Sequence, residues 1–300
     1  MKQLTLTQRQ ATAQRLDMRA FLPEHLAQLS LAEIAELPLQ VGNQITPAGE
    51  LFELSGKPCE DLRLVPAADN LDFIGAGMRQ GELTVVGNAG DAVGEGMRGG
   101  LLCVAGNTGD EAGTGLSGGE LRITGNTGER LGGPSIGATQ GMSGGQIHVQ
   151  GNAGDRVGER MRRGLILIQG DAGCWCGVNM IAGTIVVQGR IGRMAGSGMR
   201  RGTLLLSAPP AALPSTFNDN GVHDLSFLRL LFVHLTTLTD LGPWAAADNA
   251  GAHRYLGDLA DAGMGEILWP VASGNVDAPS SKPASAPFQH RHLSRGDASE

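Results

Sequence analysis

The chain has 300 residues, of which 47 are glycine, 41% are hydrophobic and only 4% are aromatic. Glycine at about twice the ~7% of an average protein, beside an ordinary apolar content, points to many tight turns around an aliphatic core and excludes a core built on Phe, Tyr and Trp. A net charge of −7 excludes a general attraction to nucleic acid phosphates or anionic lipid.

The opening residues MKQLTLTQ alternate as a strand does, and MKQLTLTQRQ has no apolar run of the kind a secretory signal needs. Four cysteines without a paired framework suit a reducing compartment, so a cytoplasmic protein is expected. PEHLAQLSLAEIAEL (23–37) has helical spacing, and NQITPAGELFEL (43–54) reads as a hairpin. Residues 1–60 are thus expected to be an N-terminal capping region. LRLV (62–65) with GAGMRQG (75–81) reads as a degenerate first coil.

A repeat then takes over. Gly81, Gly100 and Gly119 are 19 residues apart, and Gly145, Gly164, Gly183 and Gly202 continue at that interval. The one irregular step, Gly119 to Gly145, is 26 residues, or 19 plus seven, and the surplus lies in LGGPSIGATQGM. Two residues after each glycine stands an aliphatic residue (Leu83, Leu102, Leu121, Ile147, Ile166, Ile185, Leu204). Two further on stands another (Val85, Val104, Ile123, Val149, Ile168, Val187, Leu206). That alternation predicts a half-buried strand in every repeat. Gly-Asn or a related pair follows as a turn, as at Gly87-Asn88 and Gly125-Asn126. Further glycine columns run through Gly90 and through Gly94, and a methionine column runs through Met78, Met97, Met142, Met161, Met180 and Met199, with Leu116 in the missing place. Six methionines at one structural position predict an internal stack. No coil buries its own inner face, so stability must come from stacking. The fold expected is mainly β: a single-stranded parallel β-helix, a solenoid of about seven 19-residue coils over residues 61–207.

After Ser207, APPAALP breaks the repeat. Residues 224–240 read as one buried helix, and the longest apolar stretch, Leu225 to Leu238, contains Arg229 and His234, too short and too polar to span a bilayer. RYLGDLADAGMGEILWP (254–270) reads as a last ordered stretch, so that 208–270 form a C-terminal helix and cap. The Pro-, Ser- and Ala-rich residues 271–300 are expected to be a disordered tail. The middle residue of each strand should face outward: Thr84, Cys103, Arg122 and His148 early, then Leu167, Val186 and Leu205. An apolar stripe of the latter kind is normally covered; the helix around Phe227, Leu231 and Val233, packed on coils five to seven, is the expected cover, with a partner subunit as the alternative.

Candidate chemistry reduces to a few features. Cys174-Trp175-Cys176 could be a metal or redox pair, but Cys176 falls in the apolar column of Val93, Ala112, Leu131, Val157 and Ala195, and Cys174 in the column of Asp91, Asp110, Glu129 and Asp155. A lone Cys-x-Cys without clustered ligands is weak evidence for zinc or iron–sulfur. The carboxylate column reads as solvated corner charge. His148, His234 and His253 share no spacing, and His290 and His292 lie in the tail. No GxSxG, HExxH or P-loop occurs. Arg79, Arg98, Arg162 and Arg200, beside Arg163 and Arg201, make a basic column, read either as a solvated corner or as a binding stripe. No catalytic, cofactor-binding or metal-binding residue is assigned.

The tandem GNxGDxxGxxMxxG coils with the downstream GDLADAGMGEIL (257–268) resemble the C subunit of formylmethanofuran dehydrogenase and, more narrowly, the C subunit of the bacterial formyltransferase/hydrolase complex, over roughly residues 30–270. The same coil domain is similar to the C-terminal domain of the glutamate synthase large subunit. The resemblance implies a right-handed β-helix without an active site of its own. It also implies amidohydrolase-like, formyltransferase-like and dehydrogenase-like partner subunits, with no nucleic acid or membrane partner. Those partners would carry zinc and a methanofuran-type carrier, or molybdenum or tungsten in archaeal relatives. In the bacterial complex they move a formyl group from a tetrahydromethanopterin-type carrier and hydrolyse it to formate during formaldehyde oxidation. The polar strand face of coils one to four, or the arginine corner at Arg79, Arg98 and Arg162, is then left for assembly, and the arginine corner could also steer an anionic carrier. The other readings are a glutamate synthase-type coil subunit and a carbohydrate-active β-helix enzyme.

Overall fold

A computed structural model of the chain describes residues 3–236 and 251–271. The N-terminal region holds strands β1 (Leu4–Gln8) and β2 (Leu16–Asp17), helices α1 (Pro23–Leu26) and α2 (Leu31–Ala35), strands β3 (Pro38–Val41) and β4 (Gln44–Pro47), helix α3 (Ala48–Leu51) and strand β5 (Phe52–Ser55). Two expectations are corrected here. The single helix expected over 23–37 is two, because Ser30 caps a new start: its hydroxyl accepts from the Glu33 N–H while the Glu33 carboxylate accepts from the Ser30 N–H at 2.7 Å. The hairpin lies earlier than expected, β3 against β4 across Gly42-Asn43, because Phe52 and its neighbours leave to pair antiparallel with β1.

The repeat then lays down one strand per coil. These are β6 (Asp61–Val65), with the short β7 (Leu71–Asp72) on a second side, then β8 (Glu82–Val85), β9 (Arg98–Val104), β10 (Gly118–Ile123), β11 (Ser143–Val149), β12 (Arg163–Ile168), β13 (Thr184–Val187) and β14 (Arg201–Leu206). After them come β15 (Asn218–His223), α4 (Ser226–Leu235), β16 (Ala252–Gly257) and β17 (Met264–Pro270). The fold is mainly β. Its large sheet has 13 strands in the order β15-β16-β17-β14-β13-β12-β11-β10-β9-β8-β6-β1-β5, parallel from β1 through β17 and antiparallel at both margins.

Register follows the repeat. Leu62, Leu83, Leu102, Leu121, Ile147, Ile166, Ile185 and Leu204 are successive Cα partners, and the series runs on to Ile267. The degenerate first coil is therefore a true rung, and GMGEIL supplies one more that the broken spacing concealed. A second parallel ladder joins Thr127, Ala153, Ala172 and Ile191. The surplus of seven does not disturb pairing: Leu121 meets Ile147 as directly as Leu102 meets Leu121, and Ile136 of the surplus is 89% exposed.

The core follows from this alternation. Every member of the methionine column, with Leu116, is wholly buried, and one continuous apolar cluster runs from Leu4 to Ile267. One position of the repeat adopts a left-handed backbone without glycine. Ala92, Glu111, Arg130, Arg156, Trp175 and Met194 stand there with φ between 56° and 64°, a region costly to side chains. Each of the first five is held by its own N–H, which donates to a carbonyl of the next coil, Trp175 to Arg193 at 2.9 Å for example.

Helix α4 covers the outward stripe, as expected, but with a different face. Leu228, Phe232 and Leu235 join Leu167, Val186, Leu205 and Leu268 in a second apolar cluster, with Leu231 at its edge. Phe227 and Val233 point away, Val233 at 69% exposure. The helical period decides this, since 228, 232 and 235 share one face and 227 and 230 do not. The stretch expected to be helical continues to 240, and its last four residues lie outside the described residues, as does the expected disorder of 272–300. No helix among the described residues is long and apolar enough to cross a membrane.

Candidate functional site

Three groups of side chains on this scaffold carry chemistry: the corner carboxylates and amides, the sulfurs and imidazoles, and the arginines. The first group is committed to structure. Asp72, Asp91, Asp110 and Asp155 each turn one carboxylate oxygen to the backbone N–H of the corresponding residue one coil on, at 2.7–3.0 Å. The corner charge of Asp91, Asp110 and Asp155 stays open to solvent, as expected, and one oxygen of each is in addition fixed along the stack. A parallel ladder runs through the Gly-Asn turns, where Asn88, Asn107, Asn126 and Asn152 each accept from the next member's N–H, and Asp171 accepts from Arg190 at 2.7 Å. Sequence reasoning attributes these asparagines to turn conformation. The signal it passes over is the same amide at the same register in stacked coils, the arrangement from which side-chain ladders arise.

The sulfurs do not converge. Cys176 is wholly buried and its thiol is pushed up to about 12 by burial, so it behaves as a small hydrophobe. Cys174 sits in the carboxylate column, its N–H donating to Asp155. Cys103, on the outward strand face, has its thiol raised chiefly by burial. The histidines are equally dispersed. His148 is 8% exposed and held below the ordinary imidazole range by burial first and by Arg122 second, against the opposing pull of Glu120. His234 meets Gln146 at 3.2 Å, tying α4 to β11. His253 pairs with Asp219 at 2.8 Å and stacks on Trp269 with centroids 4.8 Å apart. His290 and His292 lie outside the described residues. Among the described residues no group of three or more His, Cys, Asp or Glu is placed to hold a metal ion.

The arginines do gather, though only in the late coils. Arg162, Arg163, Arg200 and Arg201 line a groove of about 400 Å³ with Ile181, Ala182, Ala262 and Met264. A neighbouring groove shares Arg200 and Ile181 and adds Arg160, Asn179, Thr139 and Asp261. Gln140 of the seven-residue surplus accepts from Arg162 at 3.1 Å, so the one irregularity of the repeat borders this cluster. Arg79 and Arg98, earlier in the same column, line neither groove. The family model described as the GXGXG motif matches residues 135–227, a range that includes these late coils. Over 93 residues the chain is 36% identical to the C subunit of the tungsten-containing formylmethanofuran dehydrogenase 2 of Methanothermobacter wolfeii, and equally to that of Methanothermobacter marburgensis. Those matches span 29% of this chain and 34% of the relatives' length, so the chain spans about a third of the curated relatives it matches. The structural match is far more extensive. A chain of the formyltransferase/hydrolase complex FhcABCD from Methylorubrum extorquens, solved in complex with methylofuran, superposes with a TM-score of 0.84 at 38% identity, covering 89% of this chain and 99% of that one.

The chain belongs to the family of formylmethanofuran dehydrogenase C subunits. In this chain the chemistry-bearing side chains described above fall into two classes. The ladder carboxylates and amides bond along the stack and Cys176 lies in the core, whereas the arginines of the late coils line two open grooves.

Proposed function

We propose that this chain is a structural subunit of a multi-subunit complex of one-carbon metabolism, of the formyltransferase/hydrolase type, with the reacting groups held by partner subunits. The observation that carries this reading is the correspondence over 99% of a chain of such a complex at 38% identity. The commitment of corner carboxylates and amides to backbone N–H groups supports the non-catalytic part, since a side chain fixed along the stack is not poised to move a proton on a substrate. In this reading the coils wind as a right-handed β-helix that the segments within 1–60 and 208–270 cap. The partners transfer a formyl group between a tetrahydromethanopterin-type and a methanofuran-type carrier and release formate during formaldehyde oxidation in the cytoplasm. Zinc and the carrier belong to the partners.

Affinity purification of the tagged chain from its native cell, with mass spectrometry of what accompanies it, tests the proposal. Amidohydrolase-like and formyltransferase-like subunits in fixed ratio are the expected result, with formyl transfer by the assembled material and none by the chain alone. Glutamate synthase partners, or turnover by the isolated chain, would overturn it.

A further inference from the structure

The arginine groove of the late coils is built differently from a plain basic surface. Its floor is apolar: Ile181 stands in the column between Arg162 and Arg200, and Met264, 54% exposed, pairs backbone to backbone with Arg201. Its rim is cationic. Five arginines line the two linked grooves, and among the described lining residues Asp261 is the one carboxylate, which leaves four positive charges locally on a chain of net charge −7. Asp261 engages only Arg200, at 3.0 Å, while the guanidiniums of Arg160, Arg163 and Arg201 have no carboxylate partner among the described residues. With one coil between them, the two arginine rows are about 10 Å apart, twice the interstrand spacing.

We infer that this groove is a docking site for an acidic polypeptide segment of a partner subunit, carrying one apolar side chain between flanking carboxylates. Charge complementarity names the sign of the occupant. The apolar floor names the rest: a small inorganic anion or a purely polar polyanion would leave Ile181 and Met264 facing charge, whereas a leucine-sized side chain covers them. An extended segment sets alternate residues about 7 Å apart, so glutamates on either side of the apolar residue reach both rows. The loop that holds Gln140 against Arg162 also brings Thr139 to the lining of the neighbouring groove. The inference refines the assembly reading, but it is measurable on the isolated full chain, so its failure leaves the co-purification result untouched.

The test is fluorescence anisotropy of the labelled peptide Glu-Glu-Leu-Glu-Glu against the full chain at low salt. Saturable binding is expected, weakened at least about tenfold when glycine replaces the leucine, the scale of losing one buried leucine side chain, and weakened further by salt. Arg163→Gln with Arg201→Gln, and separately Met264→Asp, should each abolish it with the far-ultraviolet circular dichroism and Tm preserved; Ala182→Asp is the alternative if Met264→Asp does not fold. Equal binding of the leucine and glycine peptides, or competition by tripolyphosphate at matched charge, would show a simple anion site and overturn the inference. So would an absence of saturable binding, or self-association of the chain in sedimentation that the same substitutions remove.

Discussion

The Cε of Met161 lies 2.9 Å from the point at which a Cβ on Gly183, one coil further on, would sit. The same relation joins Met78 to Gly100, Met97 to Gly119, Met142 to Gly164 and Met180 to Gly202, and it runs past the end of the regular spacing to Met199 and Gly265. Two columns that look independent in the sequence are therefore one contact repeated: the methionine of each coil fills the space that the glycine of the next leaves open.

That contact makes the two positions interdependent. Gly183 has φ of +108°, and its other close neighbour, a backbone carbon of Arg163, is 3.4 Å away. Gly183→Ala should destabilise by about 2–4 kcal/mol, from conformational strain and overpacking, and Met161→Ala by about 2–5 kcal/mol, from the cavity. The double variant should lose less than the sum by about 1–2 kcal/mol, because the shortened residue makes room for the new methyl. Urea unfolding of the four proteins measures this, and simple additivity would refute the shared contact. Met161→Asp, by contrast, buries a charge without a partner and should prevent folding.

Acid sensitivity follows from the turn ladder. The hydrogen bond from the Arg190 N–H holds the Asp171 carboxyl below its usual range, opposed by desolvation and aided by the Arg190 side chain. A lowered folded value means that the contribution is fully present above the unfolded value near 3.9 and fades as pH falls through the folded one. Asp171→Asn keeps an acceptor, as Asn152 does in the preceding coil, but does not titrate. The stability difference between wild type and Asp171→Asn should be constant above about pH 5 and change below about pH 4. A difference that stays level down to pH 2 would show that Asp171 does not accept from Arg190.

Helix α4 offers a paired comparison. Phe232→Ala opens the cover over Leu167, Val186 and Leu205 and should cost about 3–5 kcal/mol while increasing binding of the dye ANS. Val233→Ser, on the exposed face, should stay within about 0.5 kcal/mol of wild type. Equal effects at the two positions would place the helix elsewhere.

Cysteine reactivity should separate the two thiols of the Cys-Trp-Cys segment. Iodoacetamide labelling of the native chain, read by mass spectrometry, should modify Cys174 and leave Cys176 unmodified until the chain is denatured, since Cys176 is buried with its thiol near 12. Prompt labelling of Cys176 at pH 8 would contradict its place in the core.

Most of the strand registry is legible because side-chain period and coil period coincide: Leu83, Leu102 and Leu121 mark the inside wherever they recur. What is not legible has identifiable causes. Ser30 and Glu33 do carry the spacing of a capping box, but the apolar period runs on across them, so two helices read as one. The apolar run of α4 is nearly continuous, so its pattern does not show that Phe232 turns inward and Val233 outward. Asp91 and Asn107 look like ordinary exposed polar residues because their partners are backbone N–H groups 19 residues away, invisible to any local window. The groove eludes a reading by column because Ile181 breaks the arginine series, and only stacking shows that this break is its floor.

Leu121 and Ile147 remain direct partners although 26 residues separate them, and Asn126 reaches the Asn152 N–H at 2.8 Å across the same interval. The axial pitch is therefore indifferent to how much chain leaves the stack between them. Residues 134–140 are a place where the molecule can be lengthened, decorated or spliced with a reporter while the distance between its two ends stays the same.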